Sequence, residues 1–249
     1  LTFQKNNAPK AIEVLKEALD FSNSKFDKAR IKLKLGEVLV FTGKNNKALI
    51  YFSQVQTQLK NHPLAQQATF KVAQTSYFKG DFTWAKAQLK ILKSATTQLI
   101  ANDAVDLFLT ITDNEPVDSI PSGLTAYAKA ELLAFQKKDQ EAVDVLKNIL
   151  ENFKGQPIED EALFKQATLF VKLQAFENAI VNFQKIIQGN PEGILRDDAH
   201  YALAELYHNQ LNNPEKASEH YQKIIFDFAS SIYLVDARKK FRELRGDTL

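Results

Sequence analysis

Histidine is the side chain whose charge changes near neutrality and whose imidazole takes transition metals, and this 249-residue chain has four: His62, His200, His208 and His220. His200 and His208 stand eight residues apart, with His220 twelve further on, which supplies the ligand type for a surface metal site. No His-Glu-x-x-His or comparable spacing joins them, and a solvated helical surface accounts for all three. The absence of cysteine removes thiolate ligands, disulfides and cysteine nucleophiles together. Asp197, Asp198 and Glu205 fall on exposed helical positions, where solvated charge is the rule and acid–base pairing the exception. Gly36, Gly43 and Gly80 stand alone, so no loop cradles a phosphate. Nothing assembles a nucleophile, a base and an orienting group. The sequence therefore predicts no catalytic residue, no cofactor and no metal, and points to binding.

Helices are the elements that have to carry these residues. Glycine and proline are sparse, at 8 and 7, while 45% of the chain is apolar and Ala, Leu, Lys, Gln, Phe and Glu dominate. No apolar run approaches the roughly 18–20 residues that span a bilayer, and no secretory leader opens the segment at Leu1. An alanine at the start of a second helix recurs at Ala11, Ala48, Ala85, Ala142, Ala179 and Ala217, at intervals of 37, 37, 57, 37 and 38. Twelve residues earlier, or thirteen before the last, stands a small residue: Gly36, Ala73, Ala130, Ala167 and Ala204. Four residues after each anchor comes a large apolar or aromatic side chain (Leu15, Phe52, Leu89, Leu146, Phe183, Tyr221), and a mostly similar one follows at seven. Those spacings mark one helical face. Short turns such as Thr42 to Asn46, Lys79 to Asp81 and Asn212 to Pro214 join each antiparallel pair.

Leu35-Gly36 with Leu39, Ala48 and Phe52, then Phe170, Phe176, Ala179, Phe183 and Pro191, then Leu203-Ala204 with Tyr207, Ala217 and Tyr221, resemble the tetratricopeptide repeat. The resemblance covers nearly the whole chain. It implies an all-α fold, a right-handed superhelical solenoid of about thirteen helices in antiparallel pairs, and a non-catalytic role in holding a protein or peptide. The period near 37 exceeds the usual ~34, and Asp139 stands where an aromatic normally begins the second helix, which implies looser turns or longer helices. The stretches Gly80 to Leu89 and Leu99 to Ala104, with the ending Ser231 to Asp247, are similar to exported tetratricopeptide proteins of Bacteroidetes, of unestablished role. That likeness implies a periplasmic or cell-envelope setting. Ala11 opens a second helix with no first helix before it, so Leu1 reads as an internal start.

The 57-residue interval holds one extra helix, at 97–112, through Ile100, Ala104, Leu107 and Ile111. After it, Asp113 to Gly123, with Pro116 and Pro121, reads as a surface loop dividing two blocks. The expected organisation is 1–95, an N-terminal block beginning mid-repeat; 96–122, the irregular insertion; 123–229, a C-terminal block; and 230–249, a capping helix and tail. Ile232, Leu234, Val235, Ala237, Phe241 and Leu244 would cover the last repeat, leaving Arg238, Lys239, Lys240, Arg242 and Arg245 in solvent.

Fifteen residues before the anchors stand Leu33, Phe70, Tyr127 and Phe164, joined by Tyr201 once the insertion near Asn212 is allowed for. Phe41, Tyr77, Phe78 and Phe135 lie near the ends of the same first helices. The family resemblance turns these positions toward the concave surface, so they are the candidate partner-binding residues, with helix packing the competing account. Carboxylate-clamp relatives use lysine and asparagine there, and aromatics with Glu37, Glu131 and Glu205 argue against chaperone tails. Residues 1–100 carry 16 Lys/Arg against 6 Asp/Glu and residues 101–249 carry 16 against 24, which favours a polarised segment as partner. Two other roles compete: a nucleic-acid-binding or regulatory protein, and the targeting arm of a larger enzyme. Against nucleic acid, 15 of the first 16 basic residues are dispersed lysines.

Overall fold

The computed structural model describes residues 7–92, 98–115 and 123–247, and among them it contains thirteen α-helices and no strand. They are α1 (Ala8–Phe21), α2 (Lys25–Phe41), α3 (Asn45–Gln58), α4 (Pro63–Phe78), α5 (Phe82–Leu92), α6 (Gln98–Asp113), α7 (Leu124–Phe135), α8 (Asp139–Asn152), α9 (Ile158–Lys172), α10 (Phe176–Gln188), α11 (Arg196–Asn209), α12 (Pro214–Asp227) and α13 (Leu234–Arg245). Several starts are set locally. Asn7 and Asn213 each accept the backbone N–H three residues on, at 3.1 Å, ahead of a proline in the first turn of α1 and α12.

Two compact units result, Leu1–Lys138 and Asp139–Leu249. Helix α7 packs on α4, with Leu124 and Ala128 in one core cluster and Leu132 and Phe135 against another of the first unit. Within that unit neighbouring helices touch in sequence from α1 to α6, and α4 also meets α2, α6 and α7. In the second unit, α8 to α13 stack in order. Residues 116–122, which include Pro116 and Pro121 of the expected loop, lie outside the described residues. The extra helix is α6, and Ala104 and Ile111 bury against Tyr77, Leu89 and Leu124.

The alanine register is the packing rule. Ala48, Ala85, Ala142, Ala179 and Ala217 are each 0% exposed, as are Ala73, Ala130, Ala167 and Ala204. Where Ala73, Ala167 and Ala204 share a core cluster with Ala85, Ala179 and Ala217, a methyl on each helix lets two backbones approach, and Leu89, Phe183 and Tyr221 fill the space beside them. A large side chain at Ala179 overpacks this contact and costs about 1–3 kcal/mol.

The turns inside the pairs repeat with equal regularity. Five residues before each of these five anchors the backbone is left-handed, with φ of 75° at Gly43, 79° at Gly80, 60° at Lys137, 60° at Gln174 and 46° at Asn212. The next N–H reaches back five residues to a carbonyl, as in Lys44 to Leu39 (2.7 Å), Asp81 to Ser76 (2.9 Å), Lys138 to Leu133 (2.9 Å) and Ala175 to Phe170 (2.8 Å). The turn before Asp139 closes like the others. Asp139 replaces the aromatic of that register with an ion pair, its Oδ2 2.6 Å from Lys172 Nζ at the end of the next first helix. Left-handed backbone costs an L-residue about 1–2 kcal/mol, part of which glycine returns through its freer unfolded chain. Gln174→Gly should therefore raise stability by about 0.5 kcal/mol in urea unfolding, whereas Gly80→Ala should lower it.

Helix α13 covers α11 and α12 only in part. Ala237 is 0% exposed and Tyr233, Phe241 and Leu244 pack on the core, but Ile232 and Val235 are 86% and 78% exposed. Ile232 precedes the helix, and Val235 lies about 200° around it from Ala237.

Candidate functional site

The nine predicted surface residues divide into three that are buried and six that are partly buried. Leu33 belongs to the core of α2 to α4, Tyr77 is 0% exposed, and Tyr127 is 7% exposed. These three present almost no surface to a ligand, because the position faces the neighbouring first helix as much as solvent. Phe41, Phe70, Phe78, Phe135, Phe164 and Tyr201 keep part of their area in water.

In the first unit α2, α4 and α7 lie side by side, and their C-terminal ends bring rings together. Phe78 stands 6.2 Å from Phe135 and 5.8 Å from Tyr77, which is 5.8 Å from Phe82. Gln136 Nε2 donates to the Val40 carbonyl at 3.2 Å, tying the end of α7 to α2. Charges flank the rings: Glu37 takes Lys34 at 2.9 Å on its own helix and Lys71 of α4 at 3.5 Å. The arrangement is a half-buried aromatic strip.

In the second unit the same register serves a different purpose. Phe164 meets the edge of buried Phe183 at 5.5 Å. Tyr201 stacks on Tyr233 at 4.2 Å and 13° and donates its hydroxyl to Asp236 Oδ2 at 2.5 Å. Lys240 Nζ reaches Glu205 Oε1 at 2.5 Å, Asp236 Oδ2 at 3.1 Å and the Tyr201 hydroxyl at 3.1 Å. Tyr233 donates to Asp198 at 2.7 Å, and Tyr221 to Glu205. Lys240 thus turns inward, away from the solvent face the sequence suggested for it. Burial opposes its charge, but the three hydrogen bonds prevail and hold the ammonium above its ordinary range. The Tyr201 hydrogen bond leads the forces holding Asp236 below the usual carboxylate range. Tyr201 is committed to docking α13. Asp236 and Lys240, four apart, were the only sequence trace of this network, because their partners lie about 35 residues upstream.

Buried polar pairs fix register elsewhere. Asn182 Nδ2 donates to Gln166 Oε1 at 2.8 Å, and Gln166 Nε2 to the Val143 carbonyl at 3.0 Å, linking α8, α9 and α10. Among the described residues no group of three potential metal ligands converges, and no helix is long and apolar enough to cross a membrane.

The family model of the tetratricopeptide repeat matches residues 161–193, which take in most of α9 and all of α10. Among solved structures the chain is similar to a tetratricopeptide repeat protein from Parabacteroides merdae, at 16% identity and a TM-score of 0.42 over 88% of this chain and 73% of that one. It is similar also to YrrB, described as a TPR protein with an unusual peptide-binding site, at 16% identity and 0.42 over 92% and 99%. A third is TTC0263 of Thermus thermophilus, at 18% identity and 0.37 over 87% and 98%. No curated protein sequence matches. The stretch 161–193 thus matches a tetratricopeptide repeat.

Proposed function

We propose that this array of tetratricopeptide-type helix pairs is a protein-interaction scaffold that holds an acidic, aromatic-compatible peptide segment on the first-helix face of its first unit. The observation that carries this reading is the half-exposed Phe78–Phe135 pair between adjacent first helices, with Phe70 on the same helix as Phe78. Rings held by neighbours offer large apolar contact at low entropic cost. Residues 1–138 hold 19 Lys/Arg against 12 Asp/Glu, so the surrounding field favours an acidic ligand and speeds its approach. The likeness to exported Bacteroidetes proteins supports an envelope setting for that contact, which fractionation of the native organism tests.

A randomised twelve-residue display library panned against the full chain tests the surface directly, whatever the native partner is. Selected peptides should be rich in Asp and Glu, and the Phe78→Ser, Phe135→Ser double variant should bind them about tenfold more weakly. Tyr77 and Tyr201 are left intact because their rings hold helices together. Unchanged affinity in a variant with native helicity would place the contact elsewhere. Selection of basic or uncharged peptides would remove the electrostatic part.

A further inference from the structure

The outer positions of a second helix are normally polar, and one second helix of the first unit breaks that rule. The residues one before the anchor alanine, and two and six after it, are exposed along these helices. In α8 they are Glu141, Asp144 and Asn148, and in α12 Lys216, Glu219 and Lys223. In α5 they are Trp84, Ala87 and Ile91, with Trp84 53% and Ile91 63% exposed. The helices on either side extend this apolar surface. Helix α3 is tied to α5 by Gln56 Nε2 donating to Gln88 Oε1 at 2.8 Å, and it exposes Ile50. Helix α6 is met by Lys90 of α5, whose ammonium stands 5.9 Å over the Phe108 ring, and it exposes Val105 and Leu109. Exposed apolar side chains on three adjoining helices mark a contact site.

Charge tells what covers it. Helices α3 and α5 contain Lys47, Lys86 and Lys90 and no Asp or Glu, whereas α6 contains Asp103, Asp106 and Asp113 and no Lys or Arg. Lys86 is used within the chain, 2.5 Å from Glu115. Lys47, Lys90 and the three aspartates make no ion pair among the described residues. We infer that this face of the first unit binds the same face of a second copy of the chain, with α5 of each copy laid against α6 of the other across a two-fold axis. That operation sets the basic, apolar helices on the acidic, apolar one twice over, which is the self-complementarity an isologous contact requires. A partner of either single sign would meet like charge on half of the face. The surface is carried by second helices and the inserted α6, while Phe78 and Phe135 lie on first helices, so the contact is separate from the peptide surface proposed above.

Trp84 is the only tryptophan of the chain, so its fluorescence reports on this face alone. Sedimentation of the full chain from about 1 to 200 μM should show a monomer–dimer equilibrium with Kd of about 1–50 μM, because a contact of two or three helices a side stands at the small end of specific interfaces. Trp84 emission should move to shorter wavelength over the same concentration range as the ring leaves water. Ile91→Asp should weaken the dimer at least tenfold, and so should Asp103→Lys with Asp106→Lys. Adding Lys47→Glu and Lys90→Glu to that pair exchanges the signs of the two sides and should bring Kd back to within about threefold of the parent. Should the variants not fold, the wild-type titration decides, since dimerisation through another face leaves Trp84 emission unchanged. A chain monomeric throughout, which would leave the face to a different protein, unchanged emission on dimerising, equal affinity in folded Ile91→Asp, or a sign-exchanged variant no tighter than the lysine pair would overturn the assignment.

Discussion

Gly36→Ala should destabilise the first unit by about 2–3 kcal/mol, the upper part of the range for an overpacked core. A Cβ at Gly36 would lie 2.3 Å from Phe52 Cε1 and 2.5 Å from its Cζ, far inside contact distance, and Phe52 is 0% exposed. The other first helices carry alanine at this register, at Ala73, Ala130, Ala167 and Ala204. The second pair does so with Leu89 opposite Ala73. Gly36→Ala combined with Phe52→Leu copies that solution and should return to within about 1 kcal/mol of the parent, a coupling that a double-mutant cycle in urea reads directly. A single variant that unfolds like the parent would mean that the Phe52 ring is not held where the structure has it.

Acidification from pH 7.5 to 5 should weaken the second unit, and the cause is the His200–His220 pair. Burial first, then His220, Arg196 and Lys223, push the His200 imidazole down from 6.5 to about 4, against a smaller opposite pull from Asp227. Burial also lowers His220, with Lys216 adding to it and Glu219 opposing. A depressed histidine means that the unfolded chain takes up its proton first. Stability is therefore full above about pH 6.5 and declines as pH falls toward 4. At about 1.4 kcal/mol per unit the His200 contribution is at most about 3.5 kcal/mol over the whole titration, of which about 2 kcal/mol falls between pH 7.5 and 5. Urea unfolding in chelator at pH 5.0, 6.0 and 7.5 checks this, and His200→Asn should flatten the profile. A wild-type chain equally stable at pH 5.0 and 7.5 would refute the assignment.

The helices and their register could be read from the sequence because both are local. A small residue opposite alanine, with a large one four residues on, is a pattern of spacing, and the buried Ala48, Ala179 and Ala217 follow it. The turns were only half visible. Gly43 and Gly80 advertise a positive φ, whereas Lys137 and Gln174 adopt it with no signal in their side chains, forced by the closure on either side. The first-helix aromatics could be placed on a face but not divided between binding and packing, since Tyr77 is enclosed by Phe82 and by α6, an insertion outside the period. The contacts of Tyr201 and Lys240 were not legible for a related reason. Their environment is made by a helix more than 30 residues away. His200 and His220 were separated by an inserted residue near Asn212 that spoils the simple offset between α11 and α12.

Each helix within a unit touches chiefly the ones next to it in the chain, and this gives the units a mechanical character. No strand clamps distant parts together among the described residues, so tension entering one end of a unit is borne by one helix contact at a time. A pair of about 37 residues, once peeled away, pays out on the order of 120 Å of extended chain without dismantling the pairs behind it. Such a unit behaves as a yielding spring in series, lengthening stepwise under load and recoiling from the pairs still folded.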